Sequence, residues 1–216
     1  KVGFNKMHSV QLHAFPKSED SLKVCIRVLK SLKNNFNNLK IGLSNVEIYE
    51  VKDFLNHFAM PIFIQLHGNI LEQRLINEFR NEYKEDISFV INRVLCRGLL
   101  TNPKRFLSDP KSRFSTSERV KNSLSKEKKD FINFIYRFAK KNGSSVERIA
   151  LAWFKTLDCK IYPILGARTN RQLNSSLQIL NSISRDDIEI ANYVSKKALE
   201  IENLEVNKYP YFALEL

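Results

Sequence analysis

Residues 39–45, with the sequence LKIGLSN, set the expectation for the fold. They form a short and mainly apolar run, typical of a strand buried in a parallel sheet, and they end in the polar pair Ser44–Asn45. Apolar residues then recur at helical spacing from Ile48 to Leu55. A strand that leads directly into an amphipathic helix is the repeating unit of parallel α/β folds, so we predict one βα unit here.

Units of the same kind recur along the rest of the chain. Short apolar runs predict four further strands, at residues 9–15, 61–66, 87–92 and 161–165. Apolar residues at helical spacing predict six further helices. The first starts after the N-cap Ser18, the second covers residues 70–80, and the third runs from Phe131 towards Gly143. The fourth starts at Ser144 or Ser145, and the last two cover residues 170–180 and 185–204. Five strands that alternate with helices indicate an α/β fold around a parallel sheet.

Polar residues stand at the ends of all five predicted strands: His13, Ser44 with Asn45, Gln65, Asn92 with Arg93, and residues 166–168 (Gly-Ala-Arg). The carboxyl ends of parallel strands share one edge of the sheet, and ligands bind along that edge in such folds. Taken singly, each of these residues is more often a turn, cap or core residue than a ligand contact. Their recurrence at five strand ends favours a binding site.

Five segments, taken in order, resemble the aldo-keto reductase family: residues 11–13 (QLH), 41–45 (IGLSN), 63–71 (FIQLHGNIL), 92–100 (NRVLCRGLL) and 150–173, which contains ALAW, PILGART and QL. The first segment resembles the strand with the family's active-site histidine, and the second resembles the Gly-x-Ser-Asn of its fifth strand. The third resembles its sixth strand, with the glutamine, and the fourth resembles the Gly-Leu-Leu turn after its seventh strand. The last segment resembles its cofactor-phosphate segment. Their order and spacing cover most of the chain.

The resemblance implies a (β/α)8 TIM barrel of aldo-keto reductase type. The chain starts at what resembles the fourth barrel strand, so the first three βα units are expected to be missing from it. We therefore expect residues 1–216 to form a single aldo-keto reductase-like domain that is incomplete at its N-terminus, because five strands cannot close an eight-stranded barrel. A split or partnered barrel is the alternative.

The resemblance also implies an activity, the NADPH-dependent reduction of an aldehyde or ketone to the alcohol, with a sugar-type carbonyl as one option. His13 is the expected catalytic residue, and it would hydrogen-bond the substrate carbonyl. The family uses a tetrad of Asp, Tyr, Lys and His, and the other three members lie on its first three βα units. Tyr49, Tyr83 and Tyr136 are poor substitutes because they lie in helical or loop context.

The expected cofactor-binding residues are Ser44, Asn45, Gln65, Asn92, Arg93, Gly166, Arg168, Gln172, Ser175 and Ser176. Hydroxyl and amide groups suit the nicotinamide carboxamide, and a glycine ahead of the helix at Asn170 suits a phosphate. The family places a cation at Arg168, against the adenosine 2′-phosphate. Two positions depart from the family: Asn92 replaces a ring that stacks on nicotinamide, and Ser175-Ser176 replaces a Glu-Asn pair at the adenine. The chain lacks the Gly-x-Gly-x-x-Gly of Rossmann sites.

Composition and charge limit the other classes of protein. The net charge of +12 is concentrated in residues 103–129, which hold nine basic and three acidic side chains. That segment has only Phe106 and Phe114 for base stacking, so no nucleic-acid partner is expected, although a basic arm is a weak alternative. No apolar run is long enough to span a membrane, and no signal sequence is evident. Three cysteines without Cys-x-x-Cys, and four histidines without ligand spacing, predict no metal site and a reduced, cytoplasmic protein.

Two functions therefore stay open. The first is a carbonyl reductase that binds NADPH and a small-molecule carbonyl substrate, with no membrane partner and with an oligomeric state that the sequence does not fix. The second is a non-enzymatic relative, a nucleotide-binding or scaffold protein, which the missing Tyr, Lys and Asp favour.

Overall fold

The computed structural model describes residues 8–36, 38–58, 62–83, 87–101 and 125–208. Most of the basic segment proposed above as a weak candidate for a nucleic-acid arm, residues 102–124, lies outside the described residues. In the described part, no helix is both long enough and apolar enough to cross a membrane.

Five parallel strands form one sheet, and their spatial order follows their order in the sequence. The strands are β1 (Ser9–Leu12), β2 (Lys40–Ser44), β3 (Ile62–His67), β4 (Ile87–Asn92) and β5 (Lys160–Pro163). Each pairs with the next in parallel register, as Leu12 with Leu43, Ser44 with Gln65, and His67 with Asn92. The prediction that five strands, separated by helices, form one parallel sheet is confirmed. β1 ends at Leu12, three residues earlier than predicted.

Seven α-helices connect or follow the described strands: α1 (Glu19–Asn35), α2 (Ile48–Leu55), α3 (Arg74–Tyr83), α4 (Lys126–Lys141), α5 (Val146–Trp153), α6 (Asn170–Asn181) and α7 (Arg185–Lys208). The predicted caps are present. Ser18 accepts a hydrogen bond from the backbone N–H of Ser21, and Ser145 accepts one from that of Arg148. Gly143 follows α4 with a φ of +62°, the left-handed conformation that favours glycine.

The helix predicted over residues 70–80 begins four residues late, at Arg74. Asn69 is the reason, because its side-chain oxygen accepts from the backbone N–H of Leu71 and its amide donates to the Glu72 carboxylate. These bonds hold residues 69–72 as a turn. The carboxylate of Glu202 then accepts hydrogen bonds from the backbone N–H groups of Gln73 and Arg74, which fixes the first turn of α3.

The chain divides into two compact units. The first comprises Lys1–His67, Ile76–Asn92 and Cys159–Pro163, and it holds the whole sheet. The second comprises Gly68–Leu75, Arg93–Asp158 and Ile164–Leu216, and it holds α4 to α7. That residues 1–216 act as a single domain stays a prediction.

The sheet of the first unit has two different faces, because successive side chains of a strand point to opposite sides. One face forms the core, with Leu43, Ile64 and Phe89 wholly buried. The other, which we call the site face, carries Gln11, Gly42, Ser44, Phe63, Gln65, His67, Ser88, Val90, Asn92, Lys160 and Tyr162, as the register shows. The core of the second unit includes Trp153, which is wholly buried.

Candidate functional site

Asn45 joins three strand ends of the first unit. It follows β2 with a φ of +54°, a left-handed conformation that Asn tolerates better than most residues. Its side-chain amide donates to the backbone carbonyl of His13, at 2.9 Å, and its backbone N–H donates to the carbonyl of Gln65, at 3.3 Å. The turn after β2 therefore holds the residues that follow β1 against the end of β3. Three of the predicted site residues lie together for this reason.

Ser44 and Gln65 are paired in register on the site face, one residue before that turn. Ser44 is 4% exposed, and Gln65 is half-buried. Among the described residues, none hydrogen-bonds either side chain, so the hydroxyl and the carboxamide are available to a ligand. His13 is exposed just beyond β1, and its backbone carbonyl rather than its imidazole takes part in the contact with Asn45.

His67 and Asn92 form a hydrogen-bonded pair at the carboxyl ends of β3 and β4. They are register partners, both are half-buried, and Nδ1 of the imidazole donates to Oδ1 of the Asn92 carboxamide. Asn92 was predicted as a site residue, but His67 was not. Period-two alternation within β3 was the available signal, because Phe63, Gln65 and His67 alternate with the buried Ile62, Ile64 and Leu66.

Tyr162 is a second residue of the site face that the sequence did not single out. It lies on β5, opposite Val90 of β4, and it is 54% exposed. Its ring contacts that of Phe63, with the ring centroids 5.9 Å apart. Among the described residues it is the one tyrosine that a strand carries, whereas Tyr49, Tyr83 and Tyr136 lie on helices.

In the second unit, Arg93 begins a tight turn that runs to Leu100. Arg93 and Cys96 both have positive φ values, +60° and +46°, and Gly98 has +101°. Backbone hydrogen bonds join Cys96 N–H to the Arg93 carbonyl and Gly98 N–H to the Leu95 carbonyl. This is the segment whose Gly-Leu-Leu resembles the family turn, and it holds the Arg93 backbone in a fixed conformation.

The segment from Gly166 to Gln172, also in the second unit, forms the start of α6. Thr169 is the N-cap, and its hydroxyl accepts from the backbone N–H of Gln172 at 3.2 Å. The Gln172 side chain accepts from the backbone N–H of Arg168 at 2.8 Å, so this residue fixes the helix start. The Arg168 side chain is exposed, and a Cβ added at Gly166 would meet nothing within 4 Å.

Ser175 and Ser176 point in different directions on α6. Ser175 is exposed, whereas Ser176 is buried and donates from its hydroxyl to the Glu147 carboxylate of α5, at 2.6 Å. The contact fastens α6 to α5 within the second unit. The structure thus gives Ser176 a packing role, whereas Ser175 is accessible.

Metal binding has no support in the described part of the chain, where no group of three His, Cys, Asp or Glu side chains could hold an ion. The chemistry that the described site residues offer is that of hydroxyl, amide, imidazole and guanidinium groups. Such groups bind and orient an uncharged polar ligand or a phosphate.

One comparison with known proteins identifies a family, and another shows the fold. The family model described as "Aldo/keto reductase family" matches residues 1–196. No curated protein is similar enough in sequence to match the chain. Among solved structures, the chain is similar to a glycerol dehydrogenase from Gluconobacter oxydans, with 20% identity and a TM-score of 0.63 over 88% of this chain and 58% of that one.

Two further structures are similar to a comparable extent. An aldo-keto reductase from Bacillus halodurans has 18% identity and a TM-score of 0.58, over 86% of this chain and 61% of that one. A variant of the protein Gox0644 in complex with NADPH has 18% identity and a TM-score of 0.55, over 86% and 58%. The chain thus spans about three fifths of the length of these structures, and its five-stranded parallel sheet matches their fold. On the match of the family model over residues 1–196, the chain belongs to the aldo/keto reductase family.

Proposed function

We propose that the chain is the C-terminal part of an NADPH-dependent reductase that converts an aldehyde or ketone to the alcohol. In this proposal three further βα units close the sheet into an eight-stranded barrel. The observation that supports it most is the group at the strand ends of the first unit, where Asn45 holds His13 and the end of β3 together. Family membership supports the oxidoreductase chemistry, and one similar structure is an NADPH complex.

The donors and acceptors of the site face fit a nicotinamide carboxamide. The side-chain amide nitrogen of Asn45 donates to the His13 carbonyl, so the side-chain oxygen of Asn45 stays available as an acceptor. The side chains of Ser44 and Gln65 can each donate and accept hydrogen bonds, and no described residue forms a hydrogen bond with either side chain. When bound, NADPH supplies the hydride, and these three side chains would fix which face of its ring meets the substrate.

His13 would act on the substrate in the same unit. The backbone of His13 is held by the hydrogen bond from Asn45, so the position of its Cα is fixed. Its imidazole is exposed beyond β1 and is therefore accessible to a ligand. A hydrogen bond from the imidazole to the substrate oxygen would stabilise the negative charge that develops there on reduction. The proton for the alkoxide would come from a tyrosine on one of the further βα units.

In the second unit, the start of α6 fits a phosphate. The exposed Arg168 guanidinium, the open space beside Gly166 and the N-terminus of a twelve-residue helix all favour an anion. Arg168 would contact the adenosine 2′-phosphate, which distinguishes NADPH from NADH. Ser175 stays available for an adenine contact, whereas Ser176 would be a poor one because Glu147 holds its hydroxyl.

The experiment is a titration of the full-length product of the gene with NADPH, followed by assay of NADPH oxidation with a panel of aldehydes and ketones. Gln65→Leu, which removes the carboxamide at nearly constant volume, should weaken NADPH binding about tenfold, as expected for one lost hydrogen bond. Gln178→Leu is the matched control, since Gln178 is exposed on α6. Absence of NADPH binding by the unmutated protein would refute the proposal.

A non-enzymatic relative is the second candidate. The buried contact of Ser176 with Glu147 and the capping role of Gln172 favour it, because two expected cofactor residues also serve the fold of the second unit. The two candidates give different results in the same experiment. NADPH binding without oxidation by any carbonyl compound would support the second.

A further inference from the structure

Tyr162 lies in the same row of the sheet as two residues of the proposed nicotinamide site. On the site face, Ser44 of β2 is paired with Gln65 of β3. Gln65 is paired with Val90 of β4, and Val90 is paired with Tyr162 of β5. Residues in register on neighbouring parallel strands point their side chains to the same side of the sheet. A ligand bound by Ser44 and Gln65 therefore has Val90 and Tyr162 as its neighbours along the row.

The Tyr162 ring reaches across β4 towards β3. Its centroid lies 5.9 Å from that of Phe63, which is a residue of β3. The backbones of β3 and β5 are two strand spacings apart, or about 10 Å, because β4 lies between them. The two side chains therefore converge over β4. This places the Tyr162 ring close to the strand that carries Gln65.

The side chains of β4 in this region of the site face are small. Ser88 is paired with Phe63 and Val90 with Gln65, and both Ser88 and Val90 are half-buried. Tyr162 is 54% exposed in spite of its contact with Phe63. A flat group can therefore lie over Val90 and meet the Tyr162 ring.

The other rings of the site face are placed less favourably for such a contact. Among the described strands, this face carries the rings of Phe63, His67 and Tyr162. Phe63 is half-buried two residues before Gln65, and His67 lies two residues beyond Gln65 with its imidazole hydrogen-bonded to Asn92. Tyr162 shares the row of Gln65, and no described residue hydrogen-bonds its hydroxyl.

We propose that Tyr162 is a positioning residue for the cofactor, and that its ring packs against the nicotinamide whose carboxamide Ser44 and Gln65 bind. Aromatic rings attract each other in offset and edge-to-face arrangements, beyond the effect of the area that they bury. The contact restricts rotation of the nicotinamide about its bond to the ribose. The inference rests on the proposed function, because it concerns the nicotinamide of the same cofactor.

The test compares the affinity of the full-length protein for NADPH and for 2′,5′-ADP, which has the adenine and the 2′-phosphate but no nicotinamide. Tyr162→Leu removes the ring, so it should weaken NADPH binding about tenfold and leave the affinity for 2′,5′-ADP unchanged. Tyr162→Phe keeps the ring and should bind NADPH within about threefold of the unmutated protein. Tyr49→Leu is the matched control, since Tyr49 is 69% exposed on α2, and it should change neither affinity. Thermal melting checks that each variant is folded.

Fluorine NMR of the full-length protein labelled with 3-fluorotyrosine tests the contact directly. The resonance that is missing from Tyr162→Phe belongs to Tyr162, and the one missing from Tyr49→Phe belongs to Tyr49. A nicotinamide packed against the Tyr162 ring changes the surroundings of its fluorine, so NADP⁺ should shift that resonance, whereas 2′,5′-ADP should not. The Tyr49 resonance should stay in place with both ligands.

The outcomes separate this inference from the proposed function. If Tyr162→Leu binds NADPH as tightly as the unmutated protein, or if NADP⁺ leaves the Tyr162 resonance in place, the inference is overturned and the reductase proposal stands. Equal weakening of NADPH and 2′,5′-ADP binding would assign Tyr162 to the fold instead. Neither measurement requires turnover, so a protein that binds NADPH through Tyr162 but reduces no carbonyl compound would support the inference and refute the reductase. A protein that binds no NADPH would refute both.

Discussion

Gly42 lies on the site face between its register partners Gln11 of β1 and Phe63 of β3. A Cβ at this position would lie 2.6 Å from the backbone oxygen of Phe63 and 3.0 Å from the Gln11 side chain. Since a backbone oxygen cannot move without distorting the sheet, we expect Gly42→Ala to lower the free energy of unfolding by about 1–3 kcal/mol, as overpacking does. Chemical denaturation measures the loss.

Gly166→Ala is the matched control, because a Cβ at Gly166 would meet no atom within 4 Å. Its free energy of unfolding should stay within about 0.5 kcal/mol of the unmutated protein, as for other surface substitutions. A Gly42→Ala variant as stable as Gly166→Ala would show that β2 and β3 can separate without cost.

His13 offers a substitution that spares the turn it belongs to. Its backbone carbonyl accepts from Asn45, and His13→Ala keeps that carbonyl. We expect kcat/KM for carbonyl reduction to fall, by an amount that corresponds to the loss of about 1.5–4 kcal/mol of transition-state stabilisation. The affinity for NADPH should stay nearly unchanged. Steady-state kinetics and a cofactor titration of the full-length protein measure the two effects. Equal loss of cofactor binding and turnover would assign His13 to the fold instead.

Arg168 should govern the choice between NADPH and NADH. A guanidinium binds phosphate through charge-assisted hydrogen bonds that contribute about 1.5–3 kcal/mol each, and NADH lacks the 2′-phosphate. The unmutated protein should therefore bind NADPH about ten- to a hundredfold more tightly, and Arg168→Ala should remove most of that difference. Fluorescence titration with both cofactors gives the ratio.

Arg171→Ala is the control for a general loss of positive charge, since Arg171 is also exposed in the first turn of α6. It should leave most of the preference for NADPH intact. If the unmutated protein binds both cofactors equally, Arg168 does not contact the phosphate.

At the scale of elements, the start of α7 is fixed by a part-buried carboxylate. Asp187 accepts hydrogen bonds from the backbone N–H and the hydroxyl of Ser184, both at 2.9 Å, and from the Arg148 guanidinium at 3.0 Å. Burial alone would raise the pKa of Asp187, but these bonds outweigh it and hold the pKa below its ordinary value of 3.8. Asp187 therefore stabilises the folded state in its ionised form.

The sign of the pH dependence follows from that lowered pKa. The stabilisation is complete at pH values above 3.8 and is lost as the pH falls through the folded-state pKa. At neutral pH we expect Asp187→Asn to lower the free energy of unfolding by about 1–3 kcal/mol, as for hydrogen bonds to a charged group. The difference between the two proteins should shrink below pH 3.8. Denaturation curves over a pH series measure it.

Asp186→Asn is the matched control, because Asp186 is the exposed neighbour in the same first turn. It should cost no more than a few tenths of a kcal/mol, the contribution of a solvated carboxylate at a helix N-terminus. Equal effects of the two substitutions at neutral pH would mean that the helix dipole, and not the contacts with Ser184 and Arg148, accounts for the stabilisation.

The elements were largely predictable from the sequence because their causes are local. Apolar spacing and the caps Ser18 and Ser145 lie within a few residues of the helices that they define. The start of α3 was predicted four residues too early for two reasons. The Asn69 side chain holds residues 69–72 as a turn, and Glu202, which accepts from the first N–H groups of the helix, is 128 residues away from Arg74. A side-chain partner at that distance leaves no periodic signal in the sequence.

The same distinction applies to the candidate site. The polar strand ends of β2 and β3 were visible as departures from apolar runs. The bond between His67 and Asn92, 25 residues apart, and the bond between Ser176 and Glu147, 29 apart, depend on strand register and on helix packing. Only the fold determines that the Asn92 carboxamide is hydrogen-bonded to His67 and that the Ser176 hydroxyl is buried against Glu147.

At the scale of the whole molecule, both ends of the βα series carry exposed apolar side chains. Val24 and Val28 are 49% and 54% exposed on α1, and Leu173 and Leu177 are 37% and 42% exposed on α6. Among the described strands, β1 and β5 each pair on one side only. Open sheet edges and apolar patches favour association with further polypeptide, which agrees with the proposal that three more βα units complete the barrel.

This leads to a prediction for a polypeptide of residues 1–216 expressed alone. Its exposed edges and helix faces should make it self-associate and bind a hydrophobic dye, whereas the full-length gene product should do neither. Sedimentation and dye fluorescence measure both properties. Leu173→Lys with Leu177→Lys should reduce association of the isolated polypeptide, because a charged helix face resists burial. Asn174→Lys, which adds charge at an exposed polar position of α6, is the control and should change it less. A monomeric polypeptide that binds no dye would mean that its edges are protected without further βα units, and the closed barrel would then be unnecessary.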